Sequence, residues 1–511
     1  MRKDRILAVD IGTSSVRAMV FDPRGTVHAR AKREYGTVRP LPSYEEQDPV
    51  TVRDETFKAM RSCLCQEGSG AADIGGISFS SQMYGVFPVD EQENPMTASM
   101  IWCDSRARKQ AERTAEGDAA KSLYRSTGCR PDAMFPLYKV MWLREQEPEI
   151  FRKARRFVSI KEFVISQFLY DWVVDYSMAS STGMLNIHQK QWDEQALETA
   201  GISPERLSQP LEGSIGFPVK NRKMLESLGL GDDVLLFCGG GDGPMANIGS
   251  GASSVGEVNI DLGTSGAARV VVDRPAVDDQ GILWCFCMDK DCWTSGGILT
   301  NAGNTYQWLG ESIASFAGGF PPDDILQRLD QYAQEVPAGS DGLFFLPYLR
   351  KVRSPHWNSR LTGTVYGLTP DHDLRHMARA VLEATAYDIA AILDLAAQQV
   401  PLTSRVILTG GLSRSLLTAQ IIADVLQKEV VIPENSEGSI SGAAMLGLKS
   451  MGCIKEYGFL SEEASASRSC VPRENTRDIY EALRGRYGYL ISKFSEIEEF
   501  QLPAAHKEVL R

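Results

Sequence analysis

Several features that would place a protein in a familiar functional class are scarce in this sequence. Histidine occurs six times in 511 residues, and the ten cysteines include no C-x-x-C pair. Zinc sites are built from clustered cysteines and histidines, so a catalytic zinc is not expected. Free and mostly buried thiols are expected instead, including the clustered Cys63, Cys65, Cys285, Cys287 and Cys292.

Basic charge is also in short supply. The chain has 54 lysines and arginines against 66 aspartates and glutamates, a net charge of -12. Nucleic acids and anionic membranes bind basic surfaces, so neither partner is expected, although a few local donors suffice for a small phosphate ligand. No apolar run approaches the roughly 20 residues needed to span a bilayer, and the run after MRKDR is too short for a signal peptide. We expect a soluble, cytoplasmic protein.

Two common nucleotide-binding motifs are missing as well. GAAMLGLKS at 442–450 departs from a P-loop because Leu448 separates the second glycine from Lys449, where the lysine must reach the phosphates. No proper G-x-G-x-x-G follows a strand-like run, so a dinucleotide cofactor has no support.

What the sequence does contain is one motif written twice. ILAVDIGTSSVRAMVFD at 6–22 and VNIDLGTSGAARVVVD at 258–273 each read as a strand ending in aspartate, a Gly-Thr-Ser turn and a second strand. Each copy therefore predicts a β-hairpin. One copy opens each half of the chain, with Asp10 and Asp261 in matching positions.

The chemistry of these turns suits phosphate. Glycine lets the backbone turn tightly, and successive N–H groups then form a nest for an anion. Asp10 is oddly placed for an anion site unless a divalent cation lies between its carboxylate and the phosphates. Two unrelated turns that share Gly-Thr-Ser are the alternative, and the repetition of strand, turn and strand argues against it.

The rest of the chain reads as alternating helices and strands, and its length favours two large domains. Helices are predicted at 48–66, 105–126, 136–146, 303–314, 374–400, 413–428 and 475–511. Buried strands are predicted at 75–82, 233–243 and 405–411. We predict an N-terminal lobe over 1–245, a C-terminal lobe over 246–455 and a helical extension over 456–511.

These residues resemble the FGGY carbohydrate kinases over about residues 5–455. MFPLYKVMWLREQ at 134–146 and GTVYGLTPDHDLRHMARAVLE at 363–383 fit the two signatures of the family, and LTGGLSRS at 408–415 resembles its adenosine motif. The resemblance implies an α/β, two-lobed actin-like ATPase (ribonuclease H-like) fold, duplicated, with an ATP cleft between the lobes. It also implies ATP-dependent phosphorylation of a sugar hydroxyl, with Mg²⁺, and homodimers, although the sequence carries no interface signal.

Roles in nucleotide binding follow from the resemblance, residue by residue. Asp10 would hold Mg²⁺. The turn residues of the two hairpins would face the phosphates: Gly12, Thr13, Ser14, Gly263, Thr264 and Ser265. Arg17 would be a charge clamp for the γ-phosphate. Four positions would line the nucleotide pocket, with helix caps or packing contacts as the alternative: Gly303, Gln307, Gly410 and Gly411. Ser415, in the adenosine motif, would bind the nucleotide as well.

Asp242 resembles the catalytic base of the family. GGGDGP at 239–244 places it at the end of a buried strand among glycines. A sugar hydroxyl must lose its proton as its bond to phosphorus forms, and a rigid, partly desolvated carboxylate can accept it. A turn aspartate is the alternative, because aspartate favours glycine neighbours in turns.

Two segments, SSQMYG at 80–85 and IWCDSR at 101–106, are expected to line the acceptor pocket. They supply hydrogen-bonding groups and one flat apolar face for a sugar: Gln82, Met83, Tyr84, Trp102, Asp104 and Arg106, beside Asp242. Trp102 as plain core is the alternative.

The substrate cues conflict. Gln82-Met83-Tyr84-Gly85 resembles the xylulokinases of the family, whereas GDGPMANIG at 241–249 looks like its gluconate kinases. Lys351-Val352-Arg353 stands where relatives carry Gly-Glu-Arg, which puts a simple transfer of substrate in doubt. D-xylulose is favoured slightly, with gluconate or another polyol or ketose as the alternative.

Two other functional classes are left open. An actin-like filament or chaperone ATPase would share the twin hairpins but would not need the acceptor segments or the two signatures. A catalytically inactive sugar sensor is disfavoured because Asp10 and Asp242 are both intact.

Overall fold

The two glycine hairpins occupy equivalent places in two α/β halves. A computed structural model describes residues 3–66, 70–317, 325–350, 352–358, 360–434, 437–459 and 467–497. The strands of the first half are β1 Arg5–Ile11, β2 Ser15–Phe21, β3 Val27–Glu34, β4 Glu46–Gln47, β5 Ile74–Ser81, β6 Phe87–Val89, β7 Ser99–Met100, β8 Arg156–Val158, β9 Val173–Asp175, β10 Leu185–Asn186, β11 Gln191–Trp192, β12 Gln209–Leu211, β13 Gly216–Pro218 and β14 Leu235–Gly241. Its helices are α1 Pro49–Leu64, α2 Arg108–Arg113, α3 Gly117–Thr127, α4 Pro136–Gln146, α5 Pro148–Lys153, α6 Ile160–Leu169, α7 Tyr176–Ser180, α8 Glu194–Ala200, α9 Arg222–Leu228 and α10 Asp242–Ser250.

The second half has fewer and longer elements. Its strands are β15 Val258–Leu262, β16 Gly266–Val272, β17 Trp284–Asp289, β18 Cys292–Leu299, β19 Phe344–Leu346, β20 Thr364–Tyr366, β21 Arg405–Thr409, β22 Glu429–Pro433 and β23 Ser467–Cys470. Its helices are α11 Gly303–Ala317, α12 Ile325–Gln334, α13 Leu374–Ala397, α14 Leu416–Leu426, α15 Gly438–Ser450 and α16 Arg477–Ser495.

The two main sheets share a five-stranded unit. In the first half the strand order is β13-β14-β5-β1-β2-β3, and in the second it is β17-β18-β16-β15-β21-β22-β23. In both, a three-stranded antiparallel meander is followed by two strands parallel to its first strand: β1 pairs with β5 and β5 with β14, as β15 pairs with β21 and β21 with β22. The predicted hairpins are confirmed, since β1 pairs antiparallel with β2 and β15 with β16.

The sequence explains why these central strands are buried. In β1, every residue from Ile6 to Ile11 is buried, as expected for a strand covered on both faces. Helices pack on each sheet and begin at polar caps: the Asp48 side chain accepts from the amides of Val50 and Thr51 at the start of α1, and Ser415 accepts from the Thr418 amide at the start of α14.

Two predictions about secondary structure need correction. The helix expected over 105–126 is divided into α2 and α3, because Gly117 adopts a positive φ of 83° at the start of α3. The extension expected to be helical contains β23, which pairs with β22 at the edge of the second sheet. In α16, Tyr480 and Tyr487 are buried in the core of the second half. Residues 498–511 of the predicted extension lie outside the described part of the chain.

The halves are joined by packing as well as by the chain. One apolar cluster contains Phe237 and Met245 from the first half and Val271 and Ile440 from the second. Within it α10 crosses α15 with the backbones in contact: a Cβ on Gly249 would lie 1.9 Å from the Gly438 carbonyl oxygen. The predicted lobe boundary at 245 falls inside α10, and it stays a prediction.

Three further observations bear on the functional classes considered above. All ten cysteines are free. His372 and His376 have the four-residue spacing that zinc-binding helices use, but their ring nitrogens contact Thr369, Asp373 and Asp341. Within the described ranges, no helix is long and apolar enough to cross a membrane.

Candidate active site

The candidate residues of the first half converge because three parallel strands end side by side. Asp10 of β1 lies opposite Ser80 of β5, and Ser80 lies opposite Gly240 of β14. Two residues beyond Ser80 and Gly240 the chain reaches Gln82 and Asp242. Asp10, Gln82 and Asp242 therefore emerge at one sheet edge, the edge at which open α/β sheets bind ligands.

The first glycine turn is held from its carbonyl side. The Tyr35 hydroxyl donates to the Gly12 carbonyl at 2.6 Å, and the Gln47 side chain donates to the Thr13 carbonyl. The Tyr35 amide donates to the Ser14 carbonyl at 3.1 Å. With the carbonyls engaged, the amide side of this turn is the side suited to an anion.

Asp10 carries the carboxylate best placed for a cation. It is buried, and its Oδ2 accepts from Arg17 at 2.6 Å. Its Oδ1 is buried without a hydrogen-bond partner among the described residues, and an orphaned carboxylate oxygen beside a phosphate turn fits a Mg²⁺ ion. No group of three or more acidic, histidine or cysteine side chains that could hold a metal occurs in the described ranges. Mg²⁺ would therefore take its other ligands from phosphate and water.

Arg17 bridges the two halves in this structure. Its guanidinium pairs with Asp10 and with Glu437, which stands immediately before α15. It also lies 3.4 Å from the Ser439 hydroxyl. Its charge is thus balanced by two carboxylates, and contact with a γ-phosphate would require this bridge to rearrange.

The second glycine turn is one residue shorter than the first. In the first hairpin the last pair is Ile11 with Val16, and in the second it is Leu262 with Gly266. This difference places Ala267 opposite Asp261, where the first hairpin has Arg17 opposite Asp10. The aspartate of the first turn therefore faces a cation, whereas the aspartate of the second turn faces an uncharged residue.

Other elements of the second half close around this shorter turn. The amide of Gly303, the first residue of α11, donates to the Gly263 carbonyl, and the Asn304 amide donates to the Thr264 carbonyl at 2.9 Å. Gly410 has a positive φ of 88°, and a Cβ there would lie 2.5 Å from the Asp261 carboxylate. Gly303 and Gly410 thus lie against the second turn, and their place in a nucleotide pocket stays a prediction.

Three predicted nucleotide contacts lie at the periphery of this arrangement. Gln307 is exposed on α11 and donates to Glu311 at 2.8 Å. Gly411 is exposed with open space around it. Ser415 caps α14 through its hydroxyl.

Asp242 is the first residue of α10 and lies between the two turns. Burial raises its pKa to about 7, although the residue keeps some accessible surface. Burial is the largest cause of this raised pKa, and the negative charges of Asp10 and Asp261 contribute to it. Arg269 and the amide of Gly243, which donates to Oδ1 at 2.8 Å, act in the opposite direction. The carboxyl is thus able to exchange a proton near neutral pH, as a general base must.

The backbone before Asp242 is fixed by a buried ion pair that the sequence reasoning missed. Lys161 and Asp175 are each 1% exposed and 2.5 Å apart. Lys161 also donates to the Gly240 carbonyl at 2.8 Å, and the Gly241 amide donates to the Ser177 hydroxyl at 2.7 Å. Because Ser177 donates in turn to Asp175, one connected network positions the strand that ends at the catalytic candidate.

The acceptor segments and the first turn share hydrogen bonds. The Thr13 hydroxyl donates to Gln82 at 3.3 Å and accepts from the Trp102 indole at 3.2 Å. Gln82 donates to Gln47 at 2.7 Å. Gln47 is 1% exposed and was not predicted. Trp102 is half-buried and hydrogen-bonded to the turn, so it is more than the plain core considered as the alternative.

Met83 and Tyr84 line the space next to Asp242. A Cβ on Gly241 would lie 2.6 Å from Met83, so this side chain packs directly against the strand end. Tyr84 makes an edge contact with Phe135 and a tilted contact with Phe286, with ring centroids 5.7 and 6.2 Å away. Burial, and then the charge of Asp242, raises the pKa of its phenol.

The predicted direct roles of Asp104 and Arg106 need correction. The Arg106 guanidinium pairs with Asp104 at 2.7 Å and Glu46 at 2.5 Å and stacks on Tyr44, 3.6 Å from the ring centroid. Asp104 also accepts from the Glu45 amide at 2.8 Å. Their charges are neutralised within the protein, so we assign both residues to the wall of the pocket. Arg106 is 6% exposed and cannot meet a substrate carboxylate without breaking this cluster.

Comparison with known proteins agrees with this geometry. The pattern of the FGGY family of carbohydrate kinases, N-terminal domain, matches residues 5–249, and that of the C-terminal domain matches residues 258–451. A gluconokinase from Bacillus licheniformis is 32% identical over 514 residues, 98% of this chain and 99% of that protein. A xylulose kinase from Bacillus subtilis (strain 168) is 28% identical over 447 residues, 86% of this chain and 87% of that protein. The crystal structure of gluconate kinase from Lactobacillus acidophilus, 26% identical, has a TM-score of 0.89 and covers 96% of this chain and 98% of that one.

Proposed function

The chain belongs to the FGGY family of carbohydrate kinases, and from that premise we propose that D-gluconate, or a closely related aldonic acid, is its acceptor. The expected two-lobed actin-like ATPase fold and the sugar-kinase class are confirmed by these matches. Enzymes of this family use ATP as phosphate donor, generally with a divalent metal. The substrate, the site residues and the domain boundaries are proposals.

The acid substrate is supported by cationic groups around Tyr84. Arg269 and Arg353 both lower the pKa of the Tyr84 phenol against the larger effects of burial and of Asp242. The Arg353 side chain is 12% exposed and lies 3.5 Å from Asp132. Its Nε is buried without a hydrogen-bond partner in the described part of the chain. A guanidinium with an unused donor is a suitable partner for a carboxylate.

Similarity to relatives supports the same choice. The gluconokinase noted above is 32% identical over nearly the whole chain, compared with 28% over a shorter span for the xylulose kinase. D-xylulose, favoured slightly by the Gln82-Met83 segment, is the second candidate. Lys351, part of the sequence departure next to Arg353, lies outside the described residues.

The mechanism places one proton acceptor between two phosphate turns. The acceptor hydroxyl oxygen forms a bond to the γ-phosphorus of ATP, the bond from that phosphorus to the β–γ bridging oxygen breaks, and Asp242 takes the hydroxyl proton. The two turns hold the phosphates with their amides and hydroxyls. Asp10 would hold Mg²⁺, which neutralises phosphate charge when bound. Closure of the halves excludes water, which would otherwise accept the phosphate.

Sugar-dependent ADP release tests the substrate. Purified enzyme is offered gluconate, other aldonic acids, D-xylulose and glycerol at fixed ATP and Mg²⁺. We expect kcat/KM for gluconate to exceed that for D-xylulose by about tenfold or more, as one charge-assisted hydrogen bond provides. A preference for D-xylulose would contradict the acid assignment but not the kinase. ATP hydrolysis that no polyol or sugar acid stimulates would argue for another class of ATPase.

Arg353→Met separates the two candidate substrates. Loss of the guanidinium should lower kcat/KM for gluconate about tenfold or more and change kcat/KM for D-xylulose much less, because only the acid presents a carboxylate. Arg350→Met, three residues earlier at an exposed position of the same segment, is the matched control. Equal effects of Arg353→Met on both substrates would remove Arg353 from acid recognition.

The pH dependence of kcat follows from Asp242. A general base works in its deprotonated form, and the pKa of this carboxyl is raised to about 7. We therefore expect kcat to be full above about pH 8 and to fall about tenfold per pH unit below the pKa. Steady-state rates between pH 5 and 9 measure this limb; a kcat independent of pH down to pH 5 would contradict it.

A further inference from the structure

The two segments that line the acceptor pocket are loops that follow short or terminating strands. The segment at 82–85 follows β5, and the segment at 101–106 follows the two-residue strand β7. An antiparallel bridge between Val86 and Met100 joins the chain just after the first segment to the chain just before the second, and a sugar site requires both segments to be held in register. A second connection reaches into the loops themselves.

Lys139 on α4 reaches both loops with its ammonium group. Its Nζ donates to the Tyr84 carbonyl at 2.8 Å, the Ile101 carbonyl at 2.7 Å and the Met100 carbonyl at 3.4 Å. An ammonium has three N–H donors, so every donor is used on backbone carbonyls of the two loops and of Met100, the last residue of β7. The residue is fully buried.

The Tyr84 carbonyl is a demanding partner. Tyr84 has a positive φ of 68°, a conformation that non-glycine residues adopt at a cost and only where the surroundings hold them. Tyr84 also packs beside the acceptor space, where the charge of Asp242 contributes to the raised pKa of its phenol. The hydrogen bond from Lys139 therefore holds a strained backbone at the point where the chain faces the substrate.

The support behind Lys139 is rigid. Leu137, Val140, Met141 and Leu143 on the same helix are all buried, and α4 begins at Pro136, which pre-sets the first helical turn. A buried cation with carbonyl partners costs more than an apolar residue of the same size. Stability alone does not account for a lysine at this position.

We propose that Lys139 is a positioning residue that fixes the two acceptor-lining loops relative to each other and so determines affinity for the sugar. This role rests on the kinase activity of the family and on the site described above, but not on which sugar is bound. It acts through backbone carbonyls and requires no contact between the lysine and the substrate.

Lys139→Met tests the proposal by separating the two substrates kinetically. With the sugar identified in the substrate panel, we expect its KM to rise about tenfold or more, because small displacements of positioning groups have effects of that size. The KM for ATP should stay within about threefold, since the phosphate turns are held by other residues. Lys428→Met is the matched control: Lys428 donates to the Thr403 carbonyl in the second half, and both KM values should be unchanged. Parallel changes in the two KM values of Lys139→Met, or none, would overturn the proposal.

The wild-type enzyme provides a second test that does not depend on a variant folding. Burial lowers the pKa of Lys139 to about 7, Asp104 and Cys103 raise it again, Arg106 lowers it and Asp132 raises it. Above this pKa the neutral amine has two donors for three carbonyls, so the KM for the sugar should rise between pH 6 and 10 while the KM for ATP stays level. This alkaline limb should be absent in Lys139→Arg, because arginine keeps its charge. A sugar KM that is flat with pH in the wild type and unchanged in Lys139→Met would overturn the proposal. If the wild-type enzyme phosphorylates no sugar or sugar acid, this result contradicts the proposed function instead.

Discussion

Asp242→Asn is expected to retain ATP binding and lose sugar phosphorylation by a factor on the order of a thousand or more. The substitution keeps the size and the hydrogen bond to the Gly243 amide, but an amide cannot accept the hydroxyl proton. The local structure should survive, because Lys161 and Ser177 hold Gly240 and Gly241 independently of the carboxyl. Removing a buried negative charge near Asp10 also lowers electrostatic repulsion in the cleft.

The measurement combines turnover with ATP affinity. Product formation is followed at saturating sugar, and ATP binding is measured calorimetrically on the same preparation. Asp289→Asn is the matched control, because burial also raises the pKa of Asp289 while its side chain bonds to Ser214 and Tyr457; its kcat should stay within about threefold of wild type. Near-normal turnover in Asp242→Asn would remove Asp242 from the mechanism.

Asp10→Ala is expected to damage catalysis more than Asp261→Ala does. Asp10 is the carboxylate with a buried, unpartnered oxygen, and it pairs with Arg17. Asp261 faces Ala267 and packs against Gly410. We expect kcat to fall about 100-fold or more in Asp10→Ala. The fall in kcat in Asp261→Ala should be smaller by a factor of about ten or more, because only Asp10→Ala removes a ligand for the metal that neutralises phosphate charge.

The Asp10→Ala variant has a second, directional readout. The charge of Asp10 raises the pKa of Asp242, so its removal should move the acid limb of the residual kcat to lower pH. The KM for Mg²⁺ should rise in the same variant. Equal losses of kcat in the two variants, with no shift of the acid limb, would contradict the assignment of the metal to the first turn.

The parts of the site that could be predicted depend on residues that are close together in the sequence. The aspartates at positions 10 and 242 stand at the ends of apolar runs beside glycines, and the parallel register brings them together without further information. The hairpins were predicted for the same reason, since a strand, a Gly-Thr-Ser turn and a strand are contiguous.

The parts that could not be predicted depend on distant partners. Arg106 was expected to face a substrate, but besides Asp104 it pairs with Glu46 and stacks on Tyr44, which precede it by about 60 positions. Lys161 and Gln47 were missed because each acts on a backbone carbonyl of another segment. A hydrogen bond to a carbonyl leaves no pattern in the sequence, because every residue has a carbonyl.

The crossing of α10 and α15 has a consequence for how this chain arose. These helices follow equivalent strands of the two halves, and their contact is reciprocal: a Cβ on Gly249 would lie 2.6 Å from the Gly442 nitrogen, and one on Gly442 would lie 3.1 Å from the Gly249 nitrogen. Reciprocal contacts of this kind characterise two-fold symmetric dimers. In a symmetric dimer every substitution appears in both copies, whereas a fused gene lets each copy change alone. A fused chain can therefore carry Asp10 and Arg17 at one turn and a turn shorter by one residue, with Ala267 opposite Asp261, at the other.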